Sequence, residues 1–285
     1  MITEYDIQYR FNWSKATTII GDETTVKQFR TVRSRCPSEK TVIQVGGLIP
    51  EDTFDYYNAI ESIPPGIQFE SLSLPWDHPA IIYFTSGTSG LPEMVIHKQV
   101  SFPLARTREA LLEYSGLGLG KGSILIFGAW NCGATLFIFD DRKPFSVHRL
   151  LNILNRFPIT TLCAPPLVWR QLTLRDSKDY YRLYPPKSLE HCLAAAEALN
   201  SEVIRQWKQL SNLNIHDGYG QTETVLLCGN FKDCPIQPGP MGKPAPGIPL
   251  NVIDVDRREC APGEEGNTAL KIKSPNEAES FFGIF

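Results

Sequence analysis

The chain has 285 residues, 42% hydrophobic, 21% charged and 11% aromatic, with 28 basic against 31 acidic side chains and a formal net charge of −3. That supply of apolar residues suits a packed globular core, and the 21 glycines and 22 prolines follow no fixed period, which excludes disordered, collagen-like and coiled-coil chains. No basic stripe offsets the acidic balance, so no nucleic-acid partner is expected.

Seven cysteines lie scattered, with only Cys228 and Cys234 close together and no CxxC, which reads as reduced thiols in a cytosolic or matrix-like compartment. Asp6, Arg10 and Lys15 interrupt the first twenty residues, leaving no signal peptide and no Arg-rich transit peptide visible. No run approaches eighteen apolar residues, so no membrane span is expected.

Residues 1–75 alternate short apolar runs with polar turns. Thr41–Val45 reads as a strand ending at Gly46-Gly47, and Phe54–Ile60 as a short helix. Bends at Pro64-Pro65 and Pro75 precede Pro79–Phe84, a strand running into a glycine-rich loop, after which Met94, Val95 and Ile96 continue as strand. A polar helix over about 99–114, a glycine-rich turn over 116–122 and an apolar strand over Ile124–Phe127 follow. From residue 146 the pattern alternates: helix Val147–Arg156, strand Ile159–Ala164, helix Pro166–Thr173, strand His191–Ala195, helix Ser201–Ser211, strand Asn214–Asp217. Strands separated by helices of that length predict βαβ units on a parallel sheet. Beyond the turn-rich stretch Pro235–Pro249, Leu250–Val255 and Thr268–Lys273 read as strands with no helix between them, the start of an antiparallel subdomain.

Two stretches carry chemistry. In Tyr83-Phe84-Thr85-Ser86-Gly87-Thr88-Ser89-Gly90-Leu91-Pro92, six consecutive hydroxyl or glycine residues follow a strand, so backbone N–H groups and hydroxyls can surround an anion without steric hindrance. A Ser/Gly surface loop is the plainer alternative. In Asp217-Gly218-Tyr219-Gly220-Gln221-Thr222-Glu223-Thr224, an aromatic flanked by glycines offers an open ring face, while Thr222 supplies a hydroxyl and Glu223 a hard carboxylate suited to Mg²⁺. Taken alone, Thr followed by an acid also fits a helix N-cap. The glycine cluster 116–122 satisfies neither GxxxxGK[ST] nor GxGxxG. The five histidines show no HxxxH spacing and read as structural or solvated.

The pair YFTSGTSGLP and DGYGQTET, in this order, resembles the adenylate-forming superfamily and, within it, the medium-chain acyl-CoA synthetases. Supporting matches are Phe127–Ala134, Ala164-Pro165-Pro166, Ala195-Ala196-Glu197-Ala198-Leu199 and Gly239–Pro244. The resemblance implies an α/β large-domain fold, a parallel-sheet core with the start of a β subdomain. Its parts would be a partial first subdomain (1–75), a nucleotide-binding core (76–230) and the beginning of the β subdomain (231–285). It also implies a two-step ligase using ATP, Mg²⁺ and coenzyme A on a carboxylic acid. Carried onto matching positions, Thr85, Ser86, Gly87, Thr88, Ser89 and Gly90 would hold the β- and γ-phosphates. Glu197 and Ala198 would lie against the adenine, with Tyr219 stacked on it within the binding stretch Asp217, Gly218, Gly220 and Gln221. Thr222 would touch the α-phosphate and Glu223 would bind Mg²⁺, the two forming the catalytic pair. The segment Trp130–Gly133 would border an acyl tunnel. Relatives of this type are often mitochondrial, so the expected compartment is cytoplasm or mitochondrial matrix.

Several features depart from the family pattern. A lysine is expected after Gly-x-Pro in the phosphate loop, and Glu93 stands there, reversing a Coulomb term worth several kcal/mol at about 4 Å and intermediate dielectric. The Tyr-x-Thr-Gly-Asp motif and the small C-terminal domain lie beyond the last residue, a strand–helix segment between Ser123 and Phe127 is missing, and the beginning is shorter than the family's. A second reading is therefore a non-catalytic nucleotide- or acyl-binding remnant of such a ligase. A third, an amidase-type serine hydrolase, lacks the GxSxG elbow and an upstream catalytic lysine. The ligase reading requires the hydroxyl-rich and the aromatic–acidic stretches to meet around one adenosine polyphosphate.

Overall fold

The structure, a computed structural model, describes residues 2–85, 92–99, 111–113, 120–139, 144–195, 197–231, 234–236, 239–272 and 280–283. It divides into two units, Met1–Val100 and Ser101–Phe285.

The first unit runs α1 (Glu4–Ser14), β1 (Thr18–Gly21), α2 (Glu23–Val32), a 3-10 turn (Arg33–Arg35), β2 (Thr41–Gln44), β3 (Phe54–Asp55), α3 (Tyr56–Glu61), β4 (Pro79–Thr85) and β5 (Glu93–Lys98). β1, β2 and β3 form a parallel sheet in that order, and β4 and β5 pair antiparallel. Side-chain oxygens of Thr3, Asp22 and Asp55 cap the three helices, satisfying backbone donors that the first turn leaves orphaned. Ile7 and Phe11 on one face of α1 pack with Val26, Phe29 and Val32 of α2 and with Val42 of β2, the Phe11 and Phe29 rings 5.3 Å apart. The strand and helix expected at Thr41–Val45 and Phe54–Ile60 are present, the helix beginning two residues later. α1, α2 and β1 lie where the sequence showed only alternation.

The second unit contains β6 (Leu111–Glu113), α4 (Gly120–Asn131), β7 (Leu136–Phe137), α5 (Val147–Arg156), β8 (Thr161–Ala164), α6 (Pro166–Thr173), α7 (Ser177–Leu183), β9 (His191–Ala195), α8 (Ser201–Ser211), β10 (Ile215–Gln221), β11 (Val225–Gly229) and β12 (Lys243–Pro244). These strands form one sheet in the order β12-β11-β10-β9-β8-β6-β7, parallel from β10 to β7 and antiparallel at β11 and β12. A separate antiparallel sheet of β13 (Leu250–Ile253), β14 (Asn267–Ile272) and β15 (Ser280–Gly283) follows. The βαβ alternation and the antiparallel tail thus match the sequence reading, with α5, α6, β9 and α8 falling on the expected residues.

The core of this unit gathers Leu150, Leu151 and Leu154 from α5, Leu162 from β8, Trp169 from α6 and Trp207 from α8. Apolar positions spaced three and four apart bury one face of each helix against the sheet. The two indoles meet edge-on at 5.1 Å. Trp169 donates its indole N–H to the backbone carbonyls of Ala164 (3.0 Å) and Leu193 (3.1 Å), pinning α6 across β8 and β9.

Three sequence expectations are corrected here. The strand over Ile124–Phe127 is part of α4, whose Ala129 packs beside Cys163 of β8; a short apolar run does not distinguish a buried strand from a buried helix. The polar helix over 99–114 does not reach its expected end, because Leu111–Glu113 form β6, paired between β8 and β7; residues 100–110 lie outside the described residues. Gly120, Lys121 and Gly122, read as turn, begin α4, while 116–119 lie outside the described residues.

Candidate functional site

β10 carries the aromatic–acidic stretch. The expected strand ended at Asp217, but pairing continues through Gln221, because antiparallel β11 supplies partners on the other edge: Gly218 opposite Gly229, Tyr219 opposite Cys228, Gly220 opposite Leu226 and Gln221 opposite Val225. Glycines weaken a strand interior, and the β11 pairing offsets that cost here. A Cβ at Gly218 would fall 2.8 Å from Cδ1 of Leu226, so a larger residue there would displace the tip of that exposed side chain. Thr222, Glu223 and Thr224 form the hairpin turn rather than a helix cap, and Thr224 closes it: its hydroxyl accepts from the Gln221 N–H at 3.2 Å while its own N–H donates to the Gln221 carbonyl at 3.2 Å.

Parallel pairing of β10 with β9 stops at Gly218 opposite Ala195, so Tyr219–Glu223 project past the carboxyl end of β9. Glu197 and Ala198 follow that same strand end and are exposed, with Leu199 buried behind them. The aromatic–acidic stretch and the Glu197–Ala198 segment that the resemblance implies therefore meet at the carboxyl edge of a parallel sheet, where α/β proteins bind ligands. A direct bond joins them: the Leu199 N–H donates to Asp217 Oδ2 at 3.4 Å, while Asp217 Oδ1 accepts from the Gly218 N–H at 3.0 Å. Burial pushes the Asp217 carboxyl above its ordinary value, partly offset by these two backbone donors. Gln221 Nε2 donates to the Tyr219 phenol oxygen at 3.3 Å, which steadies the half-buried ring.

The base of β10 is equally braced. Asn230, after β11, donates its N–H to the Asp217 carbonyl at 2.9 Å and its side-chain amide to the Pro240 carbonyl at 3.2 Å, and its own carbonyl lies 2.8 Å from His216 Nδ1. Gly242, at φ +89°, presses against this turn so closely that a Cβ would lie 2.1 Å from the Gly229 carbonyl oxygen.

Thr85 is the last residue of β4 and stands opposite Glu93, the first of β5. β4 and β5 pair antiparallel on either side of the hydroxyl-rich stretch, whose Ser86, Gly87, Thr88, Ser89 and Gly90 lie outside the described residues. His97 of β5 is buried edge-on to Tyr83 at 5.5 Å. In the second unit, Trp130 is exposed near the end of α4, edge-on to Phe127 at 6.0 Å, and Gly133 turns the chain at φ +67°.

Glu223 is exposed at the hairpin tip, and among the described residues no three His, Cys, Asp or Glu side chains are grouped to hold a metal. One accessible carboxylate fits a Mg²⁺ ion whose remaining ligands are substrate phosphate oxygens and water, the usual arrangement for this cation. A surface cavity of about 330 Å³, lined by Ile204, Arg205, Lys208, Gln209, Asn214 and Ile236, sits toward the far end of α8 from Glu197 and contributes nothing to this site. Sequence reading missed two participants, the Leu199 backbone donor, which carries no side-chain signal, and Arg170 of α6, whose Nη2 lies 3.6 Å from Glu197 Oε2.

Among solved structures, the Brucella canis acyl-CoA synthetase superposes with a TM-score of 0.82 at 22% identity, covering 95% of this chain and 51% of that one. The anthranilate CoA ligase AuaEII in complex with anthranoyl-AMP gives 0.81 at 22% identity, covering 95% and 52%. The fold is that of the large domain of adenylate-forming enzymes. The family model for AMP-binding enzymes matches residues 1–281, and the chain belongs to that family. Acyl-coenzyme A synthetase ACSM5, mitochondrial, of Rattus norvegicus is 34% identical over 283 residues, which cover 95% of this chain and 48% of the relative. Acyl-coenzyme A synthetase ACSM4, mitochondrial, of Homo sapiens is 34% identical over 303 residues, covering 100% and 50%. The chain spans about half the length of the curated relatives it matches. No helix among the described residues is long and apolar enough to cross a membrane.

Proposed function

We propose that the chain is the nucleotide-binding part of an ATP-dependent acyl-CoA synthetase acting on medium-chain carboxylic acids in mitochondria. The substrate carboxylate attacks the α-phosphorus of ATP, releasing pyrophosphate and leaving an acyl-adenylate; the coenzyme A thiol then attacks the acyl carbon and AMP departs. The observation that carries the proposal is the Leu199-to-Asp217 hydrogen bond, which ties the Glu197–Leu199 segment to β10 beside Tyr219. The names of the relatives, acyl-coenzyme A synthetases, support the reaction class.

In this reading Tyr219 offers its ring to the adenine and Glu197 and Ala198 border the base. Thr222 donates its hydroxyl to the α-phosphate, and Glu223 holds Mg²⁺, which supplies charge neutralisation when bound. Thr85 and the stretch Ser86–Gly90 hold the β- and γ-phosphates. Such a site works by positioning and electrostatics rather than by covalent help.

Glu93 favours a second reading, a nucleotide- or acyl-binding protein without ligase turnover. Its backbone is paired opposite Thr85, so an anion would stand beside the triphosphate that this stretch is proposed to hold. Isothermal titration with ATP and AMP, followed by pyrophosphate release with butyrate to decanoate, separates the two. Binding with turnover supports the ligase, binding without turnover favours the second reading, and absence of nucleotide binding removes the ligase reading. Glu93→Lys is expected to tighten ATP about tenfold, since roughly 1.4 kcal/mol corresponds to that factor; no gain would remove the loop from the phosphates.

A further inference from the structure

The link between β9 and α8 is gripped from two sides. On one side, Asp217 of β10 accepts from the Leu199 N–H. On the other, Arg170 of α6 reaches Glu197, with Nη2 and Oε2 3.6 Å apart. The base of Arg170 is fixed. Its neighbour Trp169 is fully buried, with its indole N–H shared between carbonyls of β8 and β9, and the Thr173 hydroxyl donates to the Trp169 and Arg170 carbonyls at 3.1 and 3.0 Å. The guanidinium therefore starts from an immobile platform tied to the strand whose end it overhangs. Glu197 has no such platform, because its side chain is 67% exposed and its backbone lies beyond the last β9 pairing.

An ion pair this exposed adds little to global stability, since two long side chains lose freedom and water screens the charges. Its effect is local: it restricts where the segment Glu197–Leu199 sits. We propose that Arg170 is a positioning residue for the nucleotide, holding Glu197 so that the segment after β9 presents a preformed edge to the base. The inference rests on the functional reading above and extends it to a residue of α6. Preorganising a loop raises affinity by removing an ordering cost that the ligand would otherwise meet.

Two readouts test it on the same chain. Amide hydrogen exchange without ligand reads the loop directly. Arg170→Ala is expected to speed exchange at Ala198 and Leu199 while leaving the strand amides of β8 and β9 protected, and Arg170→Lys to restore part of the protection. AMP titration reads the consequence. Arg170→Ala is expected to weaken AMP by about threefold to fivefold, the most that an exposed pair of up to about 1 kcal/mol can give, with an unchanged melting temperature. Glu197→Ala should weaken it at least as much, since that variant also removes the side chain bordering the base, and the double variant no further than Glu197→Ala. Unchanged loop exchange in Arg170→Ala overturns the inference, as does an unaltered AMP constant in that variant when the wild type binds. Failure of the wild type to bind AMP overturns the functional reading and, with it, this extension.

Discussion

The two units hold themselves together on different terms. In Ser101–Phe285 two fully buried indoles meet inside a core fed by three helices and three strands, and the Trp169 N–H finds two carbonyls there. In Met1–Val100 the core is a thin layer between α1, α2 and a short sheet, while Leu48, Phe69, Leu72 and Trp76 stand 71–83% exposed. Apolar area removed from water is the main stabilising term, so the second unit should carry most of the stability and the first should open more easily. The predicted nucleotide residues divide along the same line. Asp217 and Gly218 pair with β9 and Gly218–Gln221 with β11, within a seven-stranded sheet, whereas Thr85 and Glu93 cap a hairpin of two strands.

The largest effect expected is in the stronger core. Trp169→Ala should cost about 3–5 kcal/mol, as a large cavity opens and two carbonyls lose their donor, read as a lower urea midpoint by circular dichroism. A loss under about 1 kcal/mol would mean that this core is looser than the packing implies. Phe29→Ala, in the thin core, should cost about 3 kcal/mol but spend it locally. Limited proteolysis should then cut within residues 1–100 while 101–285 survives, and simultaneous loss of both units would break the comparison. Gly242→Ala should cost about 2 kcal/mol or more, through its positive φ and the collision with the Gly229 carbonyl, seen as a lower melting temperature and faster exchange of the Asn230 amide.

The smallest effect concerns charge. Burial raises the Asp217 carboxyl in the folded chain, so its ionised form is disfavoured there. The penalty is absent while the group is protonated, grows as pH rises through the unfolded value of about 4, and is complete above the raised folded value. Asp217→Asn, neutral throughout but with only one oxygen for the two backbone donors, should therefore show a variant-minus-wild-type gap in melting temperature that is more positive at pH 7 than at pH 4. A gap that becomes more positive on acidification would reverse the sign assigned to this burial.

Where helices present one apolar face, sequence and structure agree to the residue. α5 and α8 were read correctly because Leu150, Leu151, Leu154 and Val203, Ile204, Trp207 recur at helical spacing. α1 was not, because Tyr5, Tyr9 and Trp13 make the face opposite Ile7 and Phe11 aromatic as well and erase the contrast. α4 was misread because Ile124–Phe127 is uniformly apolar. At the site, side-chain chemistry pointed to Asp217–Glu223 and the family resemblance to Glu197 and Ala198, and the structure brings these together at one sheet edge. The bond that joins them uses the Leu199 backbone N–H, and Glu197 is paired with Arg170, which lies outside every motif; neither leaves a pattern in sequence.

The β10–β11 hairpin carries one irregularity: Tyr219 faces Cys228 and Gly220 faces Leu226, leaving Leu227 as a surplus residue. Side chains alternate with period two, so that single unpaired position resets the phase of everything between it and the turn. Excising Leu227 would leave two strands in perfect step and move Leu226 to the opposite face of β11, changing the strand that leads out of the turn bearing Thr222 and Glu223. The phase of the strand leaving this turn is thus a matter of counting, and a natural variant shortened by one residue there would keep every motif letter while losing that phase.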